Sequence, residues 1–247
     1  MRNVVGSLLF TSVLFASVAV WGFLAFLFTP FGHRCTYWFA RSWSRWMLVS
    51  LERLCGLGYT VEGLENLPRD NTVVLIKHAS AWETIAQIEI FPRQTWVIKR
   101  ELLWVPVLGW VLFFLKAIAI NRGGGRSAVA QVVEQGRLRL EEGLWIMIFP
   151  EGTRVPAGET RRYGLSGVLL AHAAGQRAVL PVAHNAGDFW PRRGVLKKPG
   201  TIRVVIGKPI PTAGREARDV IDDVRGWIEA TLREISTEAH LRAAENP

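Results

Sequence analysis

The chain predicts an α/β domain, a mostly parallel mixed sheet flanked by helices, preceded by an N-terminal membrane-embedded helical segment. Three observations predict it. From about residue 63 onward, short β-branched apolar runs alternate with helical stretches, the pattern of a buried and largely parallel sheet. Val4 to Phe28 carries no charged residue. At 247 residues the chain has room for one sizeable core, one catalytic domain with an appendage.

The apolar segment 4–28 would measure about 37 Å as a helix, enough to cross a hydrocarbon core of about 30 Å. Arg2 alone precedes it as a charge and no small-x-small cleavage site comes after it, so it reads as a retained anchor. Crossing the bilayer and dipping into one leaflet both fit that composition. Pro30 and Gly32 end the helix. From Arg34 to Leu57, Arg34, Arg41, Arg45 and Arg53 are interleaved with Tyr37, Trp38, Phe39, Trp43 and Trp46, which reads as a basic aromatic helix lying at the interface. Positive charge after the first segment places the remainder of the chain in the cytoplasm. The expected division is 1–58 for the membrane-anchoring helices and 59–247 for the α/β domain.

In the second part, 71–77 reads as a buried strand and 82–90 as a helix stopped by Pro92. Strands come next at 95–99 and 117–121. The apolar stretch 102–115 between them is too short, and too interrupted by Pro106 and Gly109, to span. It is either a helix packed on the sheet or an apolar face pressed into the bilayer. A helix over 127–142, a strand at 144–149, a helix at 166–174, strands at 178–183 and 201–206, and an amphipathic helix over 219–237 complete the order.

Hydrophobic residues make up 49 % of the chain, with 11 Trp and a formal net charge of +9. Indole rings favour the membrane–water boundary. Basic residues set among Trp and apolar runs point to anionic lipid, and no nucleic-acid motif is legible. Cys35 and Cys55 form neither a disulfide framework nor a metal or redox motif. No nucleophile elbow and no metal-spaced cluster is present.

The residues that carry chemistry fall just beyond predicted strand ends: His78, Arg122, the run Glu151, Gly152, Thr153, Arg154, and His184. That is the edge at which open α/β sheets bind ligands. His78 lies before a helix and Glu83 one turn into it. A carboxylate that takes the Nδ1 proton leaves Nε2 as a base; helix capping by His78 is the plainer alternative. Arg122 opens a glycine-rich turn before a helix, which suits an anion or simply a surface turn. In Phe149-Pro-Glu-Gly-Thr-Arg154, Arg154 can fork onto phosphate oxygens and Thr153 can donate. Glu151 fits an organiser of an Arg or a backbone turn, and also a contact to an acceptor hydroxyl.

These blocks resemble those of the 1-acyl-sn-glycerol-3-phosphate (lysophosphatidic acid) acyltransferases of the glycerolipid acyltransferase superfamily, from about Tyr59 to Pro211. His78-Ala-Ser-Ala-Trp-Glu83 is similar to the first block, Ile120-Asn-Arg122 to the second, Phe149–Arg154 to the third and Val179–Asn185 to the fourth. Glu83 stands where most members have Asp. The Lys often found after the third block is missing, with Arg161 or Arg162 near its place.

The resemblance implies transfer of an acyl group to the sn-2 hydroxyl of 1-acyl-sn-glycerol 3-phosphate, giving phosphatidic acid. His78 would be the base oriented by Glu83, and the acceptor phosphate would meet Arg122 and the third block from Glu151 to Arg154. Trp104, Leu108 and Pro181 would lie in the acyl and donor region. No cofactor and no metal is expected beyond the co-substrate, acyl-CoA or acyl carrier protein thioester. The implied partners are the bilayer and lysophosphatidic acid, at a bacterial-type inner (cytoplasmic) membrane with the catalytic domain facing the cytoplasm. Another lysolipid acceptor, such as a lyso-ornithine lipid, and a non-catalytic anionic-lipid binder remain as alternatives.

Overall fold

A computed structural model describes residues 2–236, with the side chains of Arg2 and Arg122 outside the description. Among the described residues, seven strands form one sheet in the order β1-β7-β6-β2-β5-β3-β4. They are β1 Leu57–Glu62, β2 Val73–Ile76, β3 Gln94–Lys99, β4 Ile118–Ile120, β5 Trp145–Ile148, β6 Val179–His184 and β7 Gly200–Ile206. Five of the pairings are parallel, and β6 with β7 is antiparallel. The α/β sheet is therefore mostly parallel and mixed, as the alternation of runs predicts.

β1 is the one strand the sequence pattern did not reveal. The basic aromatic helix ends at Cys55, two residues short of the expected Leu57, because Gly56 takes a left-handed cap (φ 64°) and its N–H bonds Glu52 O at 2.8 Å. That conformation is open to glycine at no steric cost. Leu57 then enters the sheet beside β7. The other strands agree with expectation to within two residues at each end. The end of the predicted C-terminal helix at Thr237 lies outside the described residues.

Helices cover both faces. α1 (Arg2–Leu27), α2 (His33–Cys55), α3 (Trp82–Ile90) and α4 (Leu108–Phe114) lie on one side; α5 (Arg126–Glu141), α6 (Ser166–Ala173) and α8 (Ala217–Ile235) lie on the other, and α7 (Ala186–Phe189) is a short turn of helix after β6. Strand alternation divides the core accordingly. Val74, Ile76, Met147, Leu180 and Val182 pack with the first layer. Val73, Leu75, Ile146, Ile148, Val179 and Ala183 pack with the second.

α1 is long and apolar enough to cross a membrane, yet it is fastened to the domain along its length. Ser7, Phe10, Ser17 and Ala25, spaced at helical intervals, are at most 5 % exposed. At Gly6 a Cβ would stand 2.0 Å from Leu54 O, so only glycine lets the α1 and α2 backbones approach there. Trp43 Nε1 donates to Ser17 Oγ at 3.0 Å. Lys197 is buried against the same helix. Its Nζ donates to Thr11 Oγ1 at 2.5 Å and to Val195 O at 2.8 Å, and it sits 4.6 Å over the Trp190 ring and 5.1 Å over Phe10.

The opposite face of α1 stays apolar and open, with Val5, Leu8, Phe15 and Phe23 more than half exposed. Trp38 on α2 and Trp104, Trp110 and Phe113 around α4 extend that surface. On the α5, α6 and α8 layer, Leu138 is the single large apolar side chain that is exposed. The molecule therefore has one greasy side and one polar side.

Candidate active site

β2 and β5 end side by side, and both deliver their next residues to the same edge of the sheet. His78 comes after β2 on a non-helical turn, before α3 begins at Trp82. That turn resolves the spacing problem, since five residues on a regular helix would point the two side chains about 140° apart. Glu83 is pulled back toward the turn by Ser80. The Ser80 N–H donates to Glu83 Oε1 at 2.9 Å and Oε2 at 3.0 Å, and Ser80 Oγ accepts from Trp82 N at 3.1 Å. Ser80-x-x-Glu83 is a capping-box spacing, a signal legible in the sequence that points to the same pairing.

Glu83 is fully buried. Its Oε1 lies 2.8 Å from His78 Nδ1 and also accepts from Ala79 N at 3.1 Å. Burial raises the carboxyl, but the His78 hydrogen bond, the charges of His184 and His78, and the Ser80 N–H outweigh it and hold it below its ordinary range. An ionised carboxylate at that distance fixes the proton on Nδ1. Nε2 of His78 has no hydrogen-bond partner among the described residues, and the side chain keeps 9 % of its surface exposed. The ring lies flat on Phe149, with centroids 3.9 Å apart and planes 17° apart.

His184 flanks the pair from the end of β6. Its Nε2–H donates to Lys77 O at 2.8 Å, and its Nδ1 accepts from Ala186 N at 3.3 Å. Both nitrogens are thus satisfied in the neutral form, and burial lowers its pKa. Nε2 stands 3.9 Å from Glu83 Oε2.

The third block wraps over His78. Val155 N donates to His78 O at 2.8 Å, and Gly152 turns the chain with φ 68°. Glu151 corrects the grouping with the phosphate contacts. Its side chain is sealed inward, with Oε1 2.8 Å from Lys77 Nζ and Oε2 accepting the His78 N–H at 2.7 Å. It organises the His78 backbone and a lysine, and presents no face to an anion. Burial pushes its carboxyl up to about 7 against the pull of Lys77. Lys77 also reaches Glu229 Oε1 on α8 at 3.2 Å. Neither Lys77 nor Glu229 was singled out from the sequence, because each looks like an ordinary solvated charge there.

Arg154 comes three residues after Glu151 in the same block and is half-buried. Its Nε has no hydrogen-bond partner among the described residues, and it lines an apolar cavity of about 360 Å³ with Phe149. The cavity runs between the sheet and the first helical layer, past Ile85, Trp96, Leu108 and Ala40 to Trp21 and Gly22 on α1. Thr153 comes directly after Gly152 in the same turn and is half-buried.

Two expectations shift, those for Trp104 and Pro181, and the one for Arg122 falls on a side chain outside the described residues. Leu108 lines the cavity, but Trp104 is 80 % exposed on the apolar surface outside it. Pro181 lies on the other face of the sheet, because it alternates with Leu180 and Val182, which face the cavity layer; its ring packs toward Gly207. Arg122 opens a 3-10 turn after β4. β4 is the third strand from β2, so by strand spacing its end stands about 14 Å away.

Comparison with known proteins gives a consistent result. The acyltransferase family model matches residues 58–185. Over 235 residues the chain is 42 % identical to a 1-acyl-sn-glycerol-3-phosphate acyltransferase of Pseudomonas aeruginosa, covering 93 % of this chain and 91 % of that protein. It is 29 % identical over 200 residues to the human 1-acyl-sn-glycerol-3-phosphate acyltransferase alpha, covering 78 % and 70 %. Its fold is similar to the crystal structure of the 1-acyl-sn-glycerophosphate acyltransferase of Thermotoga maritima, with a TM-score of 0.78 at 19 % identity over 94 % of this chain and 95 % of that one.

Proposed function

The chain belongs to the acyltransferase family, among the 1-acyl-sn-glycerol-3-phosphate acyltransferases, and on that premise we propose that it transfers an acyl group from a thioester to the sn-2 hydroxyl of 1-acyl-sn-glycerol 3-phosphate with His78 as the base. The observation that carries this reading is the His78–Glu83 pair: Nδ1 held at 2.8 Å by a buried carboxylate, Nε2 left without a partner among the described residues. Nε2 takes the hydroxyl proton as the oxygen attacks the thioester carbonyl. The tetrahedral adduct collapses, the C–S bond breaks, and the imidazolium returns its proton to the leaving thiolate. Glu83 stabilises that imidazolium. Arg154 binds the acceptor phosphate, so positioning supplies much of the acceleration. The apolar cavity beside Phe149 takes an acyl chain.

The co-substrate is acyl-CoA or acyl carrier protein thioester, and no cofactor is required. The exposed apolar face of α1, α2 and α4 lies in the bilayer surface, at the inner membrane of a bacterium with the sheet in the cytoplasm. Product chromatography tests the assignment, with purified protein given labelled lysophosphatidic acid and oleoyl-CoA. His78→Ala should lower turnover by ~10²–10⁴-fold with an unchanged circular dichroism spectrum. Turnover within threefold of the parent would remove His78 from the mechanism.

A further inference from the structure

A second cavity, of about 350 Å³, opens on the polar side of the molecule, between the segment after the third block and the first half of α8. Arg161 and Arg162 stand on one wall beside Tyr163; Arg218 and Arg225 stand on the other. Arg218, Asp222 and Arg225 succeed each other at helical spacing and so share one face of α8. Four guanidinium groups thus meet a single carboxylate, that of Asp222. None of the four arginines has an ion pair or hydrogen bond to the described residues, whereas Arg215, close by on the approach to α8, is paired with Asp223 at 2.6 Å. Open guanidinium forks grouped in a concavity suit phosphate oxygens.

We propose that this cleft binds the phosphorylated adenosine end of the thioester donor, coenzyme A; the inference rests on the acyl-transfer reading above. The side of the molecule selects the ligand. The layer formed by α5, α6 and α8 exposes Leu138 alone among large apolar side chains, so with the apolar face of α1 in the bilayer, as proposed above, this layer is the one turned to water and away from lipid headgroups. A cavity of this size takes a small phosphate-bearing group and not the helix of a carrier protein.

The cleft is also tied to the catalytic turn. Tyr163 Oη and Thr160 Oγ1 both donate to Glu229 Oε1, at 3.3 and 3.2 Å. The same oxygen pairs with Lys77 Nζ, which holds Glu151, which holds the His78 N–H. A nucleotide docked on this wall is therefore fixed relative to the base. Binding energy gathered at such a handle, remote from the reacting atoms, serves to position the thioester.

The test uses the full chain in detergent micelles and the triple variant Arg161→Gln, Arg218→Gln, Arg225→Gln. Calorimetry with adenosine 3′,5′-bisphosphate should show binding to the parent at least tenfold tighter than inorganic phosphate, and loss of that preference in the variant. The variant's KM for oleoyl-CoA should rise at least tenfold, while kcat and KM for oleoyl-pantetheine, which lacks the nucleotide, stay within twofold. Equal rises for both thioesters, an unchanged oleoyl-CoA KM, or a rise confined to acyl carrier protein thioester would each overturn the proposal. If the parent transfers from neither thioester, the acyl-transfer reading fails, and the bisphosphate titration still decides the cleft.

Discussion

Replacing Lys77 with Met should expose how much the inward-turned carboxylate costs. The ammonium is 2 % exposed and lies 2.8 Å from Glu151 and 3.2 Å from Glu229. Removing one partner of a buried pair typically costs about 3–5 kcal/mol, because the other charge is stranded. For a chain of this size that corresponds to a fall in Tm of about 6–20 °C.

The loss should depend on pH. Glu151 titrates near 7 in the fold against an ordinary 4.5. A raised carboxyl stabilises fully below pH 4.5 and loses that contribution, about 3 kcal/mol, as pH rises through 7. Without Lys77 the folded pKa climbs further, so the deficit of the variant should be small at pH 5 and full at pH 8.5. Tryptophan fluorescence during heating in detergent measures both. Adding Glu151→Gln to Lys77→Met should restore most of the stability at pH 8.5, since a neutral amide can still accept the His78 N–H. The reasoning fails if the single variant loses less than about 1 kcal/mol at pH 8.5, or loses equally at both pH values.

Other substitutions probe the remaining parts. Arg154→Ala should raise the KM for lysophosphatidic acid by about 10–100-fold, the worth of one hydrogen bond to a charged group, with a smaller change in kcat; steady-state kinetics over acceptor concentration would show it. Ala40→Phe fills the cavity between the sheet and α1. Excluding two methylenes costs about 1.6 kcal/mol, so competition between thioesters should shift roughly tenfold toward shorter chains. Lys197→Met removes the clamp on Thr11, Val195 and the two rings. It should cost about 2–3 kcal/mol, a Tm lower by about 4–12 °C, read by the same fluorescence.

The His78–Glu83 contact was legible because its spacing sits on a strand-to-helix junction, where local chemistry decides geometry. Ser80-x-x-Glu83 adds a capping signal of the same short range. Lys77 and Glu229 were not legible, since 152 residues separate them and only the sheet and α8 bring them together. Pro181 illustrates a different failure. Its block was recognised, but the face it points to depends on strand register, and a shift of one residue reverses it. β1 was hidden because the apolar run of α2 continues without a break into Leu57, and Gly56 alone marks the corner. α1 is plainly apolar and long in the sequence, but composition says nothing of Gly6, Ser17 and Lys197, which decide whether it stands free or lies against a domain.

That attachment has a topological consequence for the cell. A helix stitched to the globular part from Ser7 to Ala25 cannot thread through the bilayer and leave its domain behind. On the acyl-transfer reading proposed above, the chain would work from a single monolayer, collecting its lipid there and releasing the product into the same sheet of headgroups. Populating the far monolayer with that product would then call for a separate translocation step.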